Sequence, residues 1–125
     1  MKIRSPHRFA GAIVFFFAVL MAACPRAALA HAVLLSSTPP RNGTVNGPDI
    51  TIKLKYNSRV DGARSSLSLL RPDGTVERIS APNQPAPDLL SATGHGLAKG
   101  PYVLRWQVLA SDGHITRGEV PFQVR

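Results

Sequence analysis

Sulfur is almost missing from this chain. Of its 125 residues the one cysteine is Cys24 and the two methionines are Met1 and Met21, all near the N-terminus. From residue 31 onward there is no thiol or thioether. That excludes disulfides, thiol redox chemistry, cysteine zinc knuckles, blue-copper electron transfer and a methionine-rich Cu(I) site. Any metal held there must take nitrogen and oxygen ligands. Acids are scarce too, with 7 Asp and Glu against 15 Lys and Arg. The basic residues form no run, so the surplus reads as a solvated surface and no nucleic-acid footprint is expected. Helical periodicity is absent, as are an internal repeat, a G-x-S-x-G elbow and a phosphate-binding glycine loop.

What the first thirty residues do contain is the pattern of a secretory signal. Lys2, Arg4, His7 and Arg8 form a basic start, and Phe9 to Ala23 is an uncharged apolar run of 15 residues. That run is shorter than the ~20 residues a spanning helix needs. Ala28-Leu29-Ala30 ends it as a signal-peptidase site. The expected organisation is therefore a cleaved signal peptide over 1–30 and one small domain over 31–125. Removing the signal takes away Lys2, Arg4, Arg8 and Arg26 and no acid, which leaves 11 basic and 7 acidic side chains, a balance of +4. An alternative lies in Met21-Ala22-Ala23-Cys24, which faintly resembles a lipoprotein box without its usual leucine. Lipidation of Cys24 would leave His31 inside the chain.

Beyond residue 31 the pattern is of short strands punctuated by Gly and Pro. Ala32 to Leu35 reads as a first short strand before Ser36-Ser37-Thr38-Pro39-Pro40. Ile50, Ile52, Leu54 and Tyr56 alternate with Thr51, Lys53 and Lys55, a half-buried strand. Leu67 and Leu69 repeat the pattern weakly. Arg71-Pro72-Asp73-Gly74 turns the chain into Thr75 to Ile79, and Leu89-Leu90 opens a further strand. Residues 81–87 carry too many prolines for a central strand and read as an extended loop. Tyr102 to Ala110 is the strongest strand, and Glu119 to Arg125 the last. The fold class expected is all-β, an immunoglobulin-like or cupredoxin-like Greek-key sandwich or barrel of about seven strands.

Three residues carry the candidate chemistry. Cleavage after Ala30 makes His31 the first residue, with a free α-amine beside its own Nδ1. Asp112 and His114, two positions apart in Ser111-Asp112-Gly113-His114, add a carboxylate and a second imidazole. Amine, two imidazoles and a carboxylate form an N,N,N,O set, which suits tetragonal Cu(II). Each piece also has an ordinary explanation. Asp112-Gly113 between alternating strands is a hairpin turn, and the two roles are compatible. His114 alone reads as a surface histidine, and His95, between Gly94 and Gly96, as a loop histidine rather than an axial ligand. Ser111, Asp112 and His114 are too close in sequence for a hydrolytic triad.

The same residues carry a resemblance. His31-Ala32-Val33-Leu34-Leu35-Ser36-Ser37-Thr38-Pro39, the stretch Gly100 to Trp106, the Ser-Asp-Gly-His tip and Gly118 to Val124 resemble the CopC family of periplasmic copper-binding proteins. The resemblance implies the same β-sandwich and a periplasmic location. It also implies a site for one Cu(II) ion per chain on His31, Asp112 and His114, and a membrane copper-uptake partner of the CopD type. Relatives carry an acid in an F-S-E stretch where this chain has Tyr56-Asn57-Ser58, with Ser58 at the acidic position and Asp61 nearby as a substitute.

The function expected is reversible Cu(II) capture for carriage, homeostasis and tolerance, without enzymatic turnover. Binding must displace protons from an α-amine, whose ordinary pKa is ~7.7–8.0, and from any protonated imidazole, so affinity should weaken in acid. Two other readings use the same residues: a copper-dependent oxidative enzyme built on an N-terminal histidine chelate, and a metal-free adaptor sandwich.

Overall fold

Alternation becomes architecture at Ile50–Tyr56, here strand β3, whose burial runs inside-outside along its whole length. A computed structural model describes residues 31–79 and 82–125. The expected signal peptide, its cleavage site and the Cys24 alternative lie outside the described residues. Among the described residues nine strands are formed in chain order: β1 (Leu34–Thr38), β2 (Gly43–Val45), β3, β4 (Val60–Leu70), β5 (Val76–Ile79), β6 (Asn83–Ala86), β7 (Leu89–Gly94), β8 (Gly100–Ala110) and β9 (Ile115–Val124). They form two sheets, a four-stranded one in the order β1-β3-β7-β6 and a five-stranded one in the order β2-β9-β8-β4-β5. Every pairing is antiparallel except β2 with β9. The expected all-β sandwich is what forms.

The core lies between the sheets. Ile52, Leu54, Tyr56 and Leu90 come from one side, and Leu67, Leu104, Val108 and Val120 from the other, each fully buried. A buried side chain of this kind contributes about 1.5–3 kcal/mol. Sliding a strand by one residue would turn such a set out to water, so the alternation also fixes register.

The differences from the expected strands have physical reasons. β1 starts later, at Leu34, and runs through Thr38 before Pro39 stops it. β2 lies in a stretch of turn residues, held by its three-residue pairing with the end of β9. β6 forms where residues 81–87 were read as a loop. It is the outer strand of its sheet, the place where a sheet tolerates Pro85. β4 begins at Val60 instead of Ser66, with a register shift between Asp61 and Ser66 that breaks its alternation. β9 begins at Ile115 rather than Glu119, because ten consecutive pairings with β8 carry it back to the hairpin tip.

Gly118 pairs with Trp106, and a Cβ placed on it would stand 2.3 Å from the indole. The glycine is the room that the ring occupies. Trp106 then meets Tyr56 edge-on across the core at 5.4 Å. Gly118→Ala therefore overpacks this contact and should lower unfolding free energy by about 1–3 kcal/mol. Urea denaturation followed by Trp106 fluorescence measures it, and an unchanged midpoint would mean that the ring has room to move.

Candidate metal centre

The hairpin joining β8 to β9 carries two of the three candidate residues. Its tip closes through Ala110 N–H to the His114 carbonyl at 2.8 Å and Gly113 N–H to the Ala110 carbonyl at 3.0 Å. Gly113 takes φ of 84°, the left-handed residue that a three-residue hairpin loop requires. Asp112 Oδ1 accepts the His114 N–H at 2.9 Å. The hairpin role and the ligand role therefore use different oxygens of one carboxylate. Oδ1 builds the turn and Oδ2 faces the imidazoles.

The third residue arrives from the other end of the domain. Ala32 is 1% exposed, so its methyl is part of the core. Val33 N–H donates to Asn57 Oδ1 at 2.8 Å, and Asn57 N–H donates to the Val33 carbonyl at 3.0 Å. These contacts fasten the chain to the end of β3 and leave His31 just outside, over the hairpin tip. Asn57 is the residue that sequence reasoning missed. In sequence it is only part of a turn after β3, and its amide side chain has no periodic signature.

Expected site residues His31, Asp112 and His114 stand together. His31 Nδ1 is 3.2 Å from Asp112 Oδ2, and His114 Nδ1 is 3.1 Å from the same oxygen. The two rings are 4.9 Å apart and inclined at 75°. One donor atom from each residue lies within 4.8 Å of the others. Bonds of ~2.0–2.1 Å to a single ion allow donors to be about 4 Å apart at most, so small rotations of the exposed rings bring this set to binding distance. The Asp112 side chain is 21% exposed against 50% for His31 and 68% for His114, so the rings screen the carboxylate while remaining open to exchange.

The carboxyl of Asp112 is held below the usual carboxylate range. The His114 backbone N–H is the main cause, opposed by partial desolvation and assisted by the His114 and His31 side chains. It is thus an anion wherever the fold is intact near neutrality.

Other residues singled out by sequence stand elsewhere. Asp61 accepts the Arg64 N–H through Oδ1 at 3.2 Å and is outside the three-residue cluster. Ser58 Oγ is buried without a hydrogen-bond partner among the described residues. His95 lies 3.5 Å from Asp49, beside the start of β3, at the opposite end of that strand from Asn57.

Known proteins resemble this chain over most of its length. The family model of the CopC domain matches residues 34–125. Copper resistance protein C of Xanthomonas campestris pv. juglandis is 29% identical over 106 residues, covering 78% of this chain and 83% of that protein. The crystal structure of CopC from Methylosinus trichosporium OB3b aligns with a TM-score of 0.67 and 32% identity, over 75% of this chain and 93% of the other. PcoC, a methionine-rich copper resistance protein from Escherichia coli, aligns with a TM-score of 0.63 at 23% identity, over 77% of this chain and 100% of the other, a likeness of fold.

Because its folded pKa is lowered, Asp112 contributes stability to the tip above the ordinary carboxylate pKa of ~3.9, and that contribution disappears as pH falls through the lowered value. In an NMR titration of the metal-free protein, the Asp112 carboxyl carbon and the His114 amide should share a midpoint below ~3.9. A midpoint at or above it would show that the turn hydrogen bond does not hold in solution.

Proposed function

The chain belongs to the CopC family, and from that premise we propose that it is a periplasmic Cu(II) carrier. It takes one ion per chain on His31, Asp112 and His114 together with the His31 α-amine. The function of this copper resistance family is related to copper; the ion's oxidation state, the ligand set and the carrying role are our reading. The observation that carries it is the convergence of two imidazoles on one oxygen of Asp112, from segments at opposite ends of the domain. Hairpin geometry explains Asp112 and His114, but it does not require His31 to be there.

The chemistry follows from the donors. Three nitrogens and one carboxylate oxygen favour Cu(II) in a tetragonal plane. Asp112, already an anion, offsets part of the ion's charge without first losing a proton. The imidazoles and the amine bind only in their neutral forms, so uptake releases protons and acid promotes release. Exposure of both rings leaves the ion accessible to a competing ligand, which suits a carrier better than a sealed store. No catalytic turnover is part of this reading. Cleavage after Ala30 supplies both export and the amine, and a membrane copper-uptake protein of the CopD type is the proposed recipient.

Placing one extra residue before His31 converts the amine to an amide. Cu(II) affinity should then fall by more than the ~10–100-fold typical of losing an outer-shell contact. The Cu(II) EPR spectrum should lose one nitrogen coupling as well. Unchanged affinity and spectrum would remove the amine from the site, and mass spectrometry of the exported chain checks where it begins.

Asn57→Ala leaves every proposed ligand in place but releases Val33. It should weaken Cu(II) binding by about tenfold with the EPR ligand set preserved. Full affinity in this variant would show that the burial of Ala32 alone positions His31.

A further inference from the structure

A groove of about 740 Å³ lies beside the hairpin tip, with Ser111 and Gly113, the two neighbours of Asp112, in its wall. Its base includes Val60, Leu109 and Ala110, and its opposite wall is Gln84 with Pro85, Ala86 and Pro87 along edge strand β6. Arg59 and Arg64 stand on it as exposed cations.

Specific contacts build this groove. Gln84 Nε2 donates to the carbonyls of Val60 at 2.7 Å and Pro87 at 3.1 Å, while its Oε1 accepts the Gly62 N–H at 3.2 Å. That one side chain ties the edge of one sheet to the irregular start of β4 in the other. Asp61 shapes the same irregular segment. Its Oδ1 accepts from Arg64 N–H, and its carbonyl accepts from Ser65 Oγ at 2.5 Å. Bulged segments of this kind commonly re-aim side chains next to functional sites.

The groove's lining carries two arginines, Arg59 and Arg64, and one carboxylate, Asp61. Among the described residues no carboxylate comes within ion-pair distance of Arg59. Arg64 reaches only Asp61, at 3.9 Å, and that carboxylate already accepts the Arg64 amide. The groove therefore presents surplus positive charge over an apolar base, along an edge strand and against the metal-bearing turn.

We infer that this groove docks an extended, acidic segment of the protein that exchanges copper with this chain. An edge strand suits an extended peptide, the two arginines suit its carboxylates, and the shared turn brings those carboxylates up to the ion. The inference rests on the copper reading of the cluster for its purpose but not for its binding site.

The experiment uses the processed chain, metal-free and Cu(II)-loaded, titrated with a capped oligoglutamate peptide and followed by amide NMR. Citrate and oligolysine are run alongside. Oligoglutamate should shift the amides of residues 59–64, 84, 86 and 111–113 in the metal-free protein. Its affinity should fall about tenfold in Arg59→Ala/Arg64→Ala, and further in the corresponding double Glu variant. Screening by added salt should weaken it too. Cu(II) affinity, read from Trp106 quenching, should be unchanged in both variants. In the loaded protein the bound peptide's resonances should broaden through the unpaired electron of Cu(II).

Unmoved groove amides, equal binding by wild type and both variants, or equal binding of oligolysine would overturn the inference. So would citrate saturating the groove while the peptide fails, which makes it a small-anion site. Peptide bound without broadening in loaded protein overturns its link to copper exchange. Because the first titration is metal-free, copper binding retained at full affinity in His114→Ala with the peptide still bound would tell against the cluster's role and leave the groove standing.

Discussion

The first residues of a domain are ordinarily its least ordered, and here they are tied down by a buried methyl and a reciprocal pair of hydrogen bonds. Ala32 sits in the core, and Val33 and Asn57 exchange backbone and amide contacts at the end of β3. Without that fastening His31 would sample many positions, and the entropy of ordering it would oppose any ion it helped to hold. With it, the segment that carries His31 behaves as part of the sheet. The rest of the centre depends on this anchor, because the hairpin tip presents only a carboxylate and an imidazole.

That tip is itself rigid for reasons that begin far from it. β8 and β9 pair over ten positions, from Gly100 with Val124 to Leu109 with Ile115. Trp106 fills the space that Gly118 leaves and meets Tyr56 across the core, so the hairpin is locked to β3, and Asn57 follows directly after that strand's last residue. One packed unit thus connects both halves of the cluster. Tyr56 and Trp106 have buried polar atoms without partners, a cost accepted where ring packing is dense. Burial pushes the Tyr56 phenol far up, so it remains neutral inside the sandwich.

The surface has a division of labour that suits a carrier. The proposed copper ligands are exposed and share one anion, while cationic Arg59 and Arg64 stand across the same turn. A positive groove near a site that receives a cation would be unhelpful to a sealed store. For a protein that must meet an anionic donor or acceptor, the separation keeps the copper ligands free while a partner is held beside them. Val33 and Ile115, near His31 and His114 in the chain, are exposed apolar side chains.

Much of this was legible in the residues. Alternation marked β3 and most of β8, because each inward position is a large apolar side chain whose burial outweighs local preference. The first half of β9 was not legible. Ile115, Thr116 and Arg117 do not alternate in hydropathy, and Gly118 resembles a turn residue until the indole opposite it is known. Strands β2 and β6 were hidden in Pro- and Gly-rich stretches because cross-strand pairing, a long-range property, is what makes them strands.

For the candidate centre, the residue types and the short Asp112–His114 spacing were local facts. So were the sulfur-free composition beyond residue 31 and the expected cleavage before His31, and these set which metals the chain can consider. Whether His31 lies over Asp112, and whether Asp61 or His95 joins them, was decided only by tertiary structure. Those distances depend on how two sheets pack and on where β3 ends, and no neighbouring residues in the chain carry that information.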